Sequence, residues 1–210
     1  MMMGRRFSLK RISGLALLLG CALSLIACSD PQLKPLPENA VVLAFGDSLT
    51  AGLGVAPTAA YPAVLESLSG RTVINAGVSG ELTVEGLQRL PDVLAKHDPD
   101  LMILLEGGND ILRNRSHADA KANLSAMIKL AKDQGSQVVL VGVPKKSLLA
   151  STAGFYVELA EEHQIPLEKK IIGSLLKKPT MKSDSVHFNA AGYRALAEAI
   201  HQVLQDAGAL

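Results

Sequence analysis

Four short apolar runs punctuate the chain between Val41 and Val141, and each gives way to small or polar residues. Val41-Val42-Leu43-Ala44-Phe45 stops at Gly46, and Thr72-Val73-Ile74-Asn75, Leu101-Met102-Ile103-Leu104-Leu105 and Gln137-Val138-Val139-Leu140-Val141 repeat the pattern. Continuous runs of this length predict strands buried on both faces, as in a parallel sheet. A fifth strand is expected near Ile165-Pro166-Leu167. Between the runs the period changes to that of helices. Leu124, Met127, Ile128 and Ala131 form one apolar stripe; Tyr193, Leu196, Ala197, Ile200, Val203 and Leu204 form another. Pro62 and Pro91 suit first-turn positions, and Asn189 suits the N-cap of the last helix. Strand–helix alternation predicts an α/β fold of three layers, a parallel sheet covered on both faces. Ligands of such sheets sit beyond the carboxyl ends of the strands.

The start of the chain follows another pattern. Arg5, Arg6, Lys10 and Arg11 precede a stretch from Ile12 to Ala27 that is almost wholly apolar or small. It is shorter than the ~20 residues that span a bilayer as a helix, and reads as a secretory signal. Its end, Leu25-Ile26-Ala27-Cys28, resembles the lipobox of bacterial lipoproteins, in which the cysteine is cut free in front and acylated. Several acyl chains would anchor the protein firmly, where one binds only marginally; ordinary cleavage, leaving Cys28 a spare thiol, is the alternative. Ser29, rather than Asp, at the next position favours outer-membrane sorting by the same resemblance. Residues 29–39 contain three prolines and read as a short tether. The expected organisation is therefore a signal over 1–27, lipidated Cys28 and tether over 28–39, and one domain over 40–210. No internal repeat divides that domain.

Composition adds exclusions. Lys+Arg is 21 and Asp+Glu 20; without the four basic residues of the first eleven positions the balance is 17 against 20, or −3, which argues against nucleic acid as a partner. Cys21 leaves with the signal and Cys28 is consumed by the anchor, so no disulfide is expected.

Each of the first three strands runs into a polar cluster: Gly46-Asp47-Ser48, then Asn75-Ala76-Gly77-Val78-Ser79-Gly80, then Gly107-Gly108-Asn109-Asp110. All three should converge on one edge of the sheet. Attack by a serine needs a nucleophile, a base, a group orienting the base, and donors for the developing oxyanion. Ser48 stands one residue past a glycine, where a turn would expose its hydroxyl; capping of the following segment by Asp47 or Ser48 is the plainer reading. Of five histidines, His97, His117, His163 and His201 lie in or beside helical, charged stretches and read as solvated. His187, in Asp184-Ser185-Val186-His187, stands just before the final helix, close enough in sequence for Asp184 to reach the near ring nitrogen. The far nitrogen is then an acceptor for Ser48. Gly77 admits a close backbone N–H, Asn109 offers a side-chain amide, and Ser48 adds its own N–H. Taken singly, Gly77 is a turn glycine, Asn109 a cap and His187 a structural histidine.

These four blocks, in this order and spread over Ala40 to Leu210, resemble the SGNH (GDSL) hydrolase family, in particular its bacterial arylesterase, thioesterase and lysophospholipase branch. The resemblance implies a flavodoxin-like five-stranded sheet and neither metal nor organic cofactor. It implies Ser48 as nucleophile, His187 as base, Asp184 as its partner, and Ser48, Gly77 and Asn109 as oxyanion donors. It also implies hydrolysis of acyl esters, thioesters or lysophospholipids by a monomer. No Gly-x-Ser-x-Gly elbow occurs, which argues against an ordinary α/β-hydrolase. Val143 to Gly154 takes the place of a variable substrate-side loop. Deacetylation of a polysaccharide is the enzymatic alternative, and a non-catalytic binding lipoprotein is the alternative from another class.

Overall fold

In the computed structural model, which describes Met1, residues 31–146 and residues 151–210, the strands are β1 (Val41–Gly46), β2 (Thr72–Gly77), β3 (Leu101–Leu105), β4 (Gln137–Val141) and β5 (Leu167–Glu168). Helices α1 (Ser48–Ala51), α2 (Tyr61–Ser69), α3 (Thr83–His97), α4 (Gly108–Leu112), α5 (His117–Asp133), α6 (Gly154–His163), α7 (Ile171–Leu176) and α8 (Ala190–Asp206) separate and follow them. All pairings are parallel and the order is β2-β1-β3-β4-β5. The first four strands stand where the apolar runs placed them. β5 is only two residues long and begins two residues later than the run near Ile165 suggested; Ile165 is instead buried in the core.

Helices cover the sheet in two packed groups, α2 with α8 and α3 with α5, the latter also meeting α6. Of the two stripes, only Val203 is less than buried. Asn189 caps α8 by accepting from Gly192 N at 3.1 Å, and Pro62 lies in the first turn of α2. Pro91 differs from expectation: it sits inside α3, not in a first turn. Its position is exposed, so water can reach the Leu87 carbonyl that loses its helical donor, while Thr83, Gly86, Leu90 and Leu94 keep the buried stripe unbroken.

The expected tether also differs. Leu33 N donates to Ala207 O and Leu36 N to Ala209 O, at 2.8 and 2.9 Å, and Leu36 is buried in the core. Lys34 exchanges two hydrogen bonds with the Gln137 side chain. The prolines that suggested a spacer simply keep this segment extended while it docks. Cys28 and the signal lie outside the described residues. Leu36→Ala is therefore expected to cost about 2 kcal/mol or more in urea denaturation; a free tether would register no change.

Candidate active site

Parallel pairing sets the site's geometry before any catalytic side chain is considered. Gly46 stands opposite Gly77 on one side and Leu105 on the other, so β1, β2 and β3 end at one level. Asp47 follows and caps α1, its Oδ1 accepting from Leu49 N at 3.0 Å. The capping reading is thus correct for Asp47, and the cap is what turns Ser48 out at the start of α1. A Cβ at Gly46 would overlap Leu105 O, so only glycine lets the strands stay paired up to the turn that carries Ser48.

His187 arrives from the far end of the chain. Its Nε2 is 3.0 Å from Ser48 Oγ and its Nδ1 is 2.7 Å from Asp184 Oδ2. The other oxygen, Asp184 Oδ1, accepts from Val186 N and His187 N, both at 2.8 Å. One carboxylate therefore shapes the turn and orients the ring, which is the physical content of the three-residue spacing. These bonds, those of the two backbone N–H groups first and the imidazole after them, hold Asp184 down at about 2. An ionised Asp184 makes Nδ1 the donor and leaves Nε2 an acceptor for the serine hydroxyl. The loop is held by Phe188, fully buried and edge-on to Tyr193 at 5.7 Å, and Tyr193 Oη donates to Leu53 O at 3.0 Å. This bond ties α8 to the far end of the nucleophile turn.

Asn109, on α4, donates through Nδ2 to Glu81 O at 3.0 Å and more weakly to Asp47 Oδ2 at 3.4 Å. Asp110 faces the opposite way, accepting from Thr83 N and Thr83 Oγ1 at 3.0 and 2.8 Å, which fastens α4 to the start of α3. Gly77 is a correction. Its N–H donates to Asn75 Oδ1 at 3.0 Å, and the place of a Cβ is filled by Ala51 N. It is a packing glycine that lets α1 lie against β2. Three residues on, Gly80 has φ +82°, and no described group takes its N–H. Nothing in the two-glycine segment alone distinguishes Gly77 from Gly80; only the bonding of their amides does.

A cavity of about 660 Å³ opens beside Ser48, His187 and Asn109. Its walls include Leu49, Ile111, Leu112, Val143, Ile172 and Leu176, with Lys145, Lys146 and Lys177 also on its lining. Val143 to Lys146 line this cavity; residues 147–150 of that loop lie outside the described residues. Close to Ser48 lie four buried acids, Asp47, Glu81, Glu106 and Asp110. Burial, against the pull of its bond from Leu49 N, pushes Asp47 up to about 6, and burial likewise pushes Glu106 well above the usual carboxylate range. Glu106, at the end of a buried strand, was a visible signal that the motif reading passed over. Among the described residues no cluster of three or more His, Cys, Asp or Glu could hold a metal ion.

The remaining histidines lie away from the cavity. His163, expected to be solvated, is half-buried with Nε2 2.7 Å from Ser125 Oγ; burial lowers its pKa. His97 and His201 are also half-buried, and only His117 is exposed.

A family model described as "GDSL-like Lipase/Acylhydrolase family" matches residues 44–195. An arylesterase of Vibrio mimicus is 36% identical over 174 residues, covering 78% of this chain and 87% of that protein. Thioesterase 1/protease 1/lysophospholipase L1 of Escherichia coli K12 is 29% identical over 172 residues, covering 78% and 83%. Among solved structures, AlinE4, an SGNH-hydrolase family esterase, is 34% identical with a TM-score of 0.65, covering 81% of this chain and 97% of that one.

Because the Asp47 carboxyl rises from an ordinary 3.8 to about 6 on folding, the native state binds the extra proton between those values. Stability should then fall as pH rises from about 4 to about 6, by something on the order of 2 kcal/mol. Asp47→Asn, which keeps an acceptor for Leu49 N, should flatten that slope in pH-dependent urea unfolding; an unchanged slope would assign it to another group.

Proposed function

This chain belongs to the GDSL-like lipase/acylhydrolase family, and from that premise we propose that it cleaves esters of apolar acyl groups through an acyl-enzyme on Ser48. The observation that carries the residue assignment is the unbroken line Asp184 Oδ2, His187 Nδ1, His187 Nε2, Ser48 Oγ, with contacts of 2.7 and 3.0 Å. His187 Nε2 takes the hydroxyl proton as Ser48 Oγ attacks the carbonyl carbon. The C=O electron pair moves onto oxygen and makes a tetrahedral oxyanion. Three donors serve it: the Ser48 N–H, which no described group takes; the Gly80 N–H in place of Gly77's; and Asn109 Nδ2, whose long contact to Asp47 is the one that yields. Collapse expels the alcohol, phenol or thiol, which receives the proton from Nε2. Water then repeats the attack and releases the acid.

The chain is a carboxylic ester hydrolase by its relatives, and the cavity favours the acyl side of that chemistry. The seven aliphatic side chains along its walls, Val186 among them, suit an alkyl or aryl acyl group better than the acetyl of a sugar. Lys145, Lys146 and Lys177 suit a substrate with a polar or anionic end, as thioesters of charged carriers and lysophospholipids have. Export and anchoring at Cys28 are part of the same proposal, supported by the basic start, the short apolar stretch and the lipobox. Among the described residues no helix is long and apolar enough to cross a membrane.

On a panel of p-nitrophenyl esters, acetylated sugars and lysophospholipid, kcat/KM should rise about tenfold from acetyl to octanoyl; preference for acetyl sugars would return the deacetylase reading. Ser48→Ala should abolish turnover and fluorophosphonate labelling with the melting temperature kept, and residual hydrolysis above about one part in a thousand would remove Ser48 as nucleophile. Cys28→Ala should move the protein out of the membrane fraction and end incorporation of labelled fatty acid, whereas unchanged fractionation would remove the anchor.

A further inference from the structure

One partly buried ion pair beside the nucleophile turn has no part in that scheme. Arg89, near the middle of α3, donates from Nε to Glu81 Oε1 and from Nη2 to Glu81 Oε2, each at 2.6 Å. The Glu81 side chain is 4% exposed and that of Arg89 25%. The same Nη2 reaches Ala76 O at 2.9 Å and, at longer range, Gly46 O at 3.4 Å. The guanidinium carbon stands 3.9 Å from the Phe45 ring centroid, so the plane is held by the ring as well.

The backbone groups gripped by this fork are not arbitrary. Gly46 immediately precedes Asp47 and Ser48 on β1. Ala76 opens the segment that runs through Gly80 to Glu81. Glu81 itself, pinned through its carboxylate, presents the main-chain oxygen that holds Asn109 Nδ2. A second arginine, Arg113, holds Gly80 O from the other side at 3.0 Å. Each of the three oxyanion donors is therefore tied to a residue that Arg89 holds: Ser48 lies two residues beyond Gly46, Gly80 directly precedes Glu81, and Asn109 bonds to Glu81 O.

Stability alone does not explain the arrangement. Withdrawing two charges from water roughly cancels their attraction, and an apolar pair of similar volume would seal the same corner. An apolar pair has no direction, however, and could not set the relative placement of two strand ends and a turn. A planar fork with several fixed donors can. We infer that Arg89, with Glu81, is a positioning residue that sets the oxyanion side of the site; the inference rests on the proposed roles of Ser48 and Asn109.

The test compares wild type with Arg89→Lys and Glu81→Gln on p-nitrophenyl butyrate and on a fluorophosphonate. Lysine keeps a charge and most of the stem and lacks the fork. Both variants should lose about 10- to 100-fold in kcat, less than deletion of a donor outright, with KM within about threefold. Phosphonylation, which places a P–O oxygen in the same hole, should slow by the same factor as kcat. The acidic limb of the pH–rate profile should stay in place, because Asp184 and His187 are untouched. Mass spectrometry of the labelled wild type reports separately on Ser48: label on another residue defeats the reading beneath, whatever the variants do. With the label on Ser48, kcat and phosphonylation within about twofold of wild type in both variants would overturn the positioning role. So would a loss confined to melting temperature, or a loss in kcat that is fully matched by the fraction unfolded.

Discussion

In a parallel sheet the hydrogen-bond register decides where each strand lets go of its chain, and here Gly46 pairs with both Gly77 and Leu105. Three strands consequently release three polar segments at one height, and Asp47, Ser48 and Asn109 all come from within a few residues of that line. Close approach enforces the level: side chains at Gly46 or Gly77 would run into Leu105 O or Ala51 N. A shift by one residue would also exchange the faces of a whole strand, which a sheet buried on both sides cannot accept cheaply. The common level of the polar segments is thus a by-product of strand packing, and side chains from α3, α4 and α8 then fasten them.

The histidine loop is the exception, since it is 139 residues from Ser48. It is fixed by a local device and an anchor. Asp184 closes its own turn with two amide bonds, and Phe188 with Tyr193 fastens that turn to the core and to Leu53. Preorganisation of this kind removes reorganisation from the barrier. Its cost is local, four acids gathered beside Ser48 with Arg89 paired to one of them, whereas the bonds that lower Asp184 favour its ionised form and contribute stability.

What could be read in advance followed the range of the interactions involved. Strands β1 to β4, the stripes of α5 and α8 and the Asn189 cap are decided by neighbours a few residues away, and all stand where hydrophobic spacing put them. Pro91 defeated the local rule because an exposed face lets water replace one helical donor. The docking of Leu36 against the C-terminal residues was hidden by its prolines, since extended chain looks alike whether it is free or packed. His163 looked like a surface residue because Ser125, its partner, is 38 positions away.

The layering and the common level of the polar clusters were legible along the chain, as was the grouping of Ser48, Asn109, Asp184 and His187 that the structure brings to one cavity, because each is written in short-range periodicity or in an ordered set of short blocks. Folding in three dimensions was needed to bond the Gly77 amide while leaving that of Gly80 without a described acceptor, to place Arg89 behind the turn that carries Ser48, to bury Glu106 and to line the cavity with aliphatic side chains. These depend on which amide is already bonded and which side chains meet across the sheet. Pairing at such distances leaves no periodic trace along the chain.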